Sequence, residues 1–185
     1  MATEVNGKLM GCPQGDRAVP CVRLRAMEPE DLDFLYEVEN DQRIWNVGLT
    51  NVPYSRNLLL DYIASSTGDI FTDKQVRLMI ENERGVTVGM VDLINFSPVH
   101  CRAELGIVIQ NEFQGQGYGG ASILKMMDYA KNIVHLHQIY SIVDENNKKC
   151  SEMLKRAGFQ QVMRMKDWLY DGSEYHSAIF FQIFF

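Results

Sequence analysis

The chain has 185 residues, of which 46% are hydrophobic and 23% charged, and a formal net charge of −6. That is ordinary composition for one globular domain, and the acidic balance argues against a basic nucleic-acid surface and suits a cationic small molecule better. The four cysteines (Cys12, Cys21, Cys101 and Cys150) form no C-x-x-C or Cys/His pattern, so no metal site is expected and they read as reduced thiols of a cytoplasmic protein.

Residues 1–20 hold Gly7, Gly11, Pro13, Gly15 and Pro20 and no long apolar run. They read as a loose tail, neither signal peptide nor membrane span, ahead of one domain over residues 21–185. Val22–Ala26 alternates as a short strand. Glu28-Pro29-Glu30-Asp31 starts a helix, with proline in the first turn and acids at the positive end of its dipole; Leu32, Leu35 and Tyr36 are expected to pack inward. Asp33, Glu37 and Asp41 fall at i, i+4, i+8 on another face. Like charges at that spacing destabilise a helix, so they either form a solvated face relieved by Arg43 or meet a cationic ligand.

Asn46–Pro53 reads as a loop, Tyr54–Ser65 as a second helix and Ser66–Asp73 as a polar connection. Val76–Glu81 and Val86–Phe96 are strands joined by a hairpin turn at Glu83-Arg84-Gly85, the second bulged or bent near Gly89. Ser97-Pro98 leads into a strand, Cys101–Ile109. Further on, Gln138–Asp144 is strand-like and Asn147–Ala157 is a short helix closed by Gly158. Strands Phe159–Leu169 and Glu174–Phe185 flank a turn at Asp171-Gly172; the aromatic run of the last strand reads as core. The order β-α-α-β-β-β-α-β-α-β-β implies a mixed α/β or α+β sheet: antiparallel strands feeding one β-α-β unit.

The informative stretch is Gln114-Gly115-Gln116-Gly117-Tyr118-Gly119-Gly120. It links the strand ending at Ile109 to a helix whose apolar period begins at Ala121. Glycines let the backbone approach an anion, and the first amides of the following helix point at it. A plain turn would not need four glycines in so short a span. Gly115, Gly117 and Gly120 also fit the dinucleotide fingerprint, with Asp144 as a candidate ribose acid. That motif, however, follows its strand directly and opens its domain. A P-loop fails because no Lys-Ser/Thr follows.

Gln114-Gly115-Gln116-Gly117-Tyr118-Gly119 resembles the Q/R-x-x-G-x-G/A pyrophosphate loop of the GNAT acetyltransferases. Asn147 and Leu154-Lys155-Arg156-Ala157-Gly158-Phe159 resemble the family's later N…(L/Y)-x-x-x-G-F segment. The element order matches that family over roughly residues 22–185. The resemblance implies acetyl-CoA as co-substrate, held by main-chain contacts from Ile107, Val108 and Ile109. It further implies pyrophosphate contacts from Gln114, Gly115, Gln116, Gly117, Tyr118 and Gly119, and a contact from Asn147.

Within the family the chain looks closest to the bacterial spermidine N-acetyltransferases and the branch acting on ribosomal-protein N-termini. The stretches concerned are Leu24–Ala26, Gly89–Leu93, Val99–Glu104 and Tyr140–Asn146. Two positions depart from the pattern. The family tyrosine, a proposed general acid, falls at Leu154, and Thr50-Asn51 stands where the spermidine enzymes carry a Glu-Glu pair. An N-acetyltransferase acting on a primary amine is the leading expectation, a polyamine such as spermidine being the acceptor and Asp33, Glu37 and Asp41 its contacts. The alternatives are a protein N-terminal acetyltransferase, a catalytically silent CoA-binding protein and a nicotinamide oxidoreductase. Glu104, an ionisable residue in an apolar strand, is the candidate general base, with a pKa expected to be raised by burial; a structural pairing with Arg102 or His100 is its other reading. A homo-oligomer with no membrane partner completes the expectation.

Overall fold

A computed structural model describes residues 19–41 and 52–185. Residues 46–51 of the predicted loop, with Thr50-Asn51 among them, Arg43 and all but the end of the predicted tail lie outside the described residues. The strands are β1 (Val22–Arg25), β2 (Val76–Asn82), β3 (Thr87–Ser97), β4 (Arg102–Ile109), β5 (Gln138–Asp144), β6 (Gln160–Tyr170) and β7 (Tyr175–Phe184). They form one sheet in the order β1-β2-β3-β4-β5-β7-β6. Neighbours run antiparallel except β4 and β5, which are parallel. The parallel pair is bridged by the long helix α4 (Tyr118–Asn132), numbered after α1 (Leu32–Glu39), α2 (Arg56–Ser65) and the one-turn α3 (Ile70–Asp73); α5 (Lys148–Arg156) follows β5.

Side chains alternate across the strands, and the two faces of the sheet are filled differently. On one face Val91, Leu93, Leu105, Ile139, Val143 and Phe181 pack against Ala121, Ile123 and Met126 of α4. Each fully buried aliphatic side chain there contributes about 2 kcal/mol relative to exposure. On the other face Met79 and Met90 meet Leu35 and Val38 of α1 and Leu59 and Ile63 of α2 in a smaller cluster.

The β2–β3 hairpin is closed by Asn82, whose Oδ1 accepts from the Arg84 and Val86 amides at 2.9 and 3.1 Å. The bend expected near Gly89 is a bulge. Ile80 pairs with Gly89 and Glu81 with Thr87, which leaves Val88 as the extra residue. Glycine is required there because a Cβ would sit 2.3 Å from the Val108 carbonyl oxygen of β4.

Three expectations change. Tyr36 does not pack inward but is exposed, with the Arg56 guanidinium 4.6 Å from its ring centroid. Residues 29–31 form a separate 3-10 turn, the α-helix starts at Leu32, and Leu35 and Val38 become its buried pair. The polar connection after α2 contains α3, set by Asp69 capping the Phe71 amide at 3.0 Å over the buried Ile70. The end of the predicted tail is placed at the glycine loop: a Cβ on Gly117 would lie 2.9 Å from Pro20 Cδ.

Candidate active site

The sheet opens at its parallel seam. β4 and β5 pair only at Arg102–Gln138, Ala103–Ile139 and Glu104–Tyr140. Beyond Glu104 the two strands diverge, while the far edge of β4 stays paired with β3 from Leu105 to Ile109. A cavity of about 1010 Å³ fills the opening. Leu105–Ile109, Ser141–Asp144, Gln114, Asn147 and Cys150 line one part of it, and Glu37, Glu39, Asp41, Tyr62, Arg77, Asp92 and Glu104 line the other. The β5-facing edge of β4 offers backbone donors and acceptors to an extended ligand as a neighbouring strand would. Ile107, Val108 and Ile109, which the resemblance assigns to main-chain contacts with acetyl-CoA, lie on the part of β4 beyond its pairing with β5.

The glycine loop heads α4. Gly115 and Gly117 hold left-handed backbone at φ 77° and 93°, and Gly117 is the residue before the helix. The first intrahelical bond is Ala121 N–H to Gly117 O at 3.1 Å. The amides of Tyr118, Gly119 and Gly120 thus precede the helical ladder and suit an anion at a positive helix end. This cradle fits a pyrophosphate by backbone alone.

The loop's side chains do other work. Tyr118 is buried and its ring meets Phe113 edge-on at 6.1 Å. Gly119 faces α5, where a Cβ would lie 2.6 Å from Met153 Sδ and the thioether would have to shift. Gln114 Nε2 donates to Ile109 O and Asn111 Oδ1 at 3.0 and 3.1 Å, and Gln116 Nε2 to Glu112 O at 2.8 Å. Both glutamines brace the turn out of β4. Asn147 lines the cavity and caps α5, its Oδ1 accepting from the Cys150 amide at 3.0 Å.

The other part of the cavity is polar and charged. Arg77 of β2 forks onto Asp92 of β3 (Nε–Oδ1 3.0 Å, Nη2–Oδ2 2.8 Å) and also bonds Glu39 at the end of α1. Its guanidinium lies 5.6 Å from the Tyr62 ring centroid, and Gln75 donates to the Tyr62 hydroxyl at 3.2 Å. Asp92 pairs across β3–β4 with Gly106. With no side chain at 106, the floor between Asp92 and Glu104 stays open.

Glu104 lines this part. It is half-buried rather than enclosed, and its partner is neither Arg102 nor His100 but Asn95, whose Nδ2 donates to Oε2 at 2.8 Å. The expected acidic row divides. Glu37 and Asp41 line the cavity, whereas Asp33 lies outside its lining and is bonded by Arg56. Cys150 is unsuited to nucleophilic work, because burial pushes its thiol up to about 11 and keeps it protonated at neutral pH. Leu154 is 1% exposed and packs in the core, so position 154 carries no acid.

Sequence reasoning gave no role to Arg77, Asp92, Tyr62, Asn95 or Tyr140. Charged residues inside β2 and β3 were a visible signal, but their partnership depends on a register shifted by the bulge at Val88.

A family model for the acetyltransferase (GNAT) domain matches residues 22–160. The chain is 28% identical over 163 residues to the spermidine N(1)-acetyltransferase of Escherichia coli (strain K12), covering 88% of this chain and 86% of that protein. It is 26% identical over 169 residues to YdaF of Bacillus subtilis (strain 168), provisionally named a ribosomal N-acetyltransferase, covering 88% and 90%. The crystal structure of spermidine N-acetyltransferase from Vibrio cholerae in complex with CoA and spermine superposes with a TM-score of 0.78 at 27% identity, covering 88% of this chain and 95% of that one. The parted strands, the glycine-headed helix and these likenesses agree: the chain belongs to the GNAT acetyltransferases and is an acetyl-CoA-dependent N-acetyltransferase.

Proposed function

We propose that the acceptor is a polyamine such as spermidine, and that the acid-rich part of the cavity receives it. The charge of the lining carries this reading. Five carboxylates (Glu37, Glu39, Asp41, Asp92 and Glu104) face one cationic side chain, Arg77, in that part of the described lining. At about 4 Å and an effective dielectric near 20, each ammonium–carboxylate pair is worth about 4 kcal/mol before desolvation. A surface of this sign concentrates a polycation and repels an anionic acceptor. The Escherichia coli relative is a spermidine acetyltransferase and the Vibrio cholerae neighbour was solved with spermine, which supports the same acceptor.

In this reading acetyl-CoA lies along the open edge of β4. Main-chain groups of Ile107, Val108 and Ile109 hold its pantetheine arm, and amides of the 114–120 loop hold its pyrophosphate. The thioester then sits near the mouth of the opening, beside Glu104. Glu104 accepts a proton from the acceptor ammonium, directly or through water. The freed amine attacks the thioester carbonyl, whose developing charge is met by β4 amides. The C–S bond breaks, and the second amine proton ends on CoA sulfur. A thiolate with a conjugate-acid pKa of about 8.5 leaves without strong acid assistance, consistent with leucine at 154.

Steady-state acetylation of spermidine, spermine and a short peptide with a free N-terminus tests the acceptor. Both polyamines should turn over, with KM rising as salt screens the carboxylates, and spermidine should raise the melting temperature. If the peptide is acetylated and neither polyamine is, the polyamine reading fails and the chain is a protein N-terminal acetyltransferase.

A further inference from the structure

Glu104 does not stand alone at the vertex of the opening. It makes the last β4–β5 pair with Tyr140, and Ile94 is its partner on β3. In a regular strand Asn95, next after Ile94, would point to the opposite face. Here the β3–β4 register slips between Ile94 and Ser97, and Asn95 takes left-handed backbone at φ 51°. Asparagine tolerates that conformation better than most residues, and the result turns its amide onto Glu104 Oε2 at 2.8 Å. A bulge that re-aims one side chain onto a carboxylate is a recurring device beside reaction centres.

The other flank is aromatic. The Tyr140 ring lies 5.2 Å from Phe180 with planes 16° apart, so stacking on β7 sets the ring's plane. Burial, and then the neighbouring Glu104 charge, push the phenol pKa up. As neighbours in register across β4 and β5, Tyr140 and Glu104 lie side by side on one face of the sheet, where a phenol hydroxyl can donate to the carboxylate. The other charges near the pair are Arg102 on β4 and, across the cavity, Glu37, Asp41 and the Arg77–Asp92–Glu39 group.

We propose that Tyr140 is a positioning residue, acting with Asn95 to hold the Glu104 carboxylate at the mouth of the parted strands in the orientation that receives the acceptor's proton. This rests on the assignment of Glu104 as base. The phenol steers the base rather than protonating the thiolate, so the chemistry does not depend on a tyrosine at position 154.

The test is a double-mutant cycle on the full chain, with kinetics over pH 6–9 and spermidine as acceptor. Glu104→Gln should lower kcat about 10²-fold, the usual scale for loss of a general base. Tyr140→Phe keeps the stacked ring and should lower kcat about tenfold, the scale of one hydrogen bond to a charged group, leaving the KM for acetyl-CoA unchanged. Its acid limb should move to higher pH, because a carboxylate that loses a donor holds its proton more tightly. Added to Glu104→Gln, Tyr140→Phe should cost nothing further. A Tyr140→Phe enzyme with wild-type kcat and pH profile, or one whose loss persists in the Glu104→Gln background, overturns the positioning role while leaving the base in place. A Glu104→Gln enzyme at wild-type rate overturns the base itself, and the proposal with it.

Discussion

The two faces of the central strands are built on opposite principles although they share one backbone. Toward α4, Leu105, Ile139, Val143 and Phe181 belong to one continuous apolar cluster. Toward α1 and α2, the same strands present Arg77, Asp92 and Glu104 around a glycine at 106. The first face makes the molecule stable. The second is tolerable only because its charges are paired and because the first face more than offsets its desolvation. Leu105 and Val143 belong to both, packing in the apolar layer and lining the gap after Glu104, so the layer against α4 anchors the two strands that part there.

Removing the cation that balances the polar face breaks this division most severely. Arg77→Met leaves Asp92 and Glu39 together without their shared guanidinium. A loss of about 3 kcal/mol is expected, seen as a melting temperature lower by about 10 °C in a chain of this size. Recovery of that loss on adding Asp92→Leu would show that the cost lies in the stranded charge; no recovery would assign it to packing.

A smaller change separates binding from stability at the glycine loop. A Cβ at Gly120 meets nothing within 4 Å, and glutamate in a first helical turn is favourable. Gly120→Glu should therefore hold or raise the melting temperature while its charge opposes the pyrophosphate. A rise of about tenfold or more in the KM for acetyl-CoA is expected, one factor of ten being about 1.4 kcal/mol. An unchanged KM would remove the head of α4 from the binding site. Gly117, by contrast, combines left-handed backbone with a Pro20 ring that a Cβ would clash with at 2.9 Å, so a bulky residue there would disturb fold and binding together.

The smallest effect belongs to the β6–β7 turn, away from both faces. Asp171 accepts from the Glu174 and Ser173 amides and lies 2.7 Å from His176 Nε2. That partner raises the His176 pKa, so its contribution is complete below the unfolded imidazole value of about 6.5 and is lost as pH rises through the folded one. Asp171 is held well below the carboxylate range, first by the Glu174 amide and then by His176. Its contribution is present above about 3.9 and lost as pH falls further. The difference in melting temperature between wild type and His176→Gln should thus be greatest between about pH 4 and 6.5 and fade in alkali. A difference that does not vary with pH would mean the ion pair contributes nothing.

Much of this was legible in the chain. β5 was predicted with the observed bounds, and the period of α4 and the density of glycines before it marked the loop. What escaped depended on pairing between distant segments. That Arg77 meets Asp92 follows from a hairpin register altered by one extra residue at Val88. That Tyr140 meets Glu104 follows from where a parallel pairing stops, which no local pattern encodes. Glu104 was visible because a carboxylate in an apolar run is conspicuous; the asparagine that grips it lies nine residues away across a bulge. Tyr36 was expected inward, but the buried pair of α1 is Leu35 and Val38, one turn apart on a face that leaves Tyr36 outside.

The three pairs joining β4 to β5 divide the sheet into two blocks. A co-substrate lying along the edge of β4 in the proposed manner would act as a surrogate strand, supplying by binding the ladder that the fold leaves out. Protection from hydrogen exchange should reflect this. Amides of Leu105–Ile109 directed toward the gap should exchange readily in the protein alone and slow when acetyl-CoA is added, while those bonded to β3 remain slow throughout. The enzyme would then be most cooperative as a folded unit only while loaded, and the weakest seam of its architecture would be the one its reaction closes and reopens at every turnover.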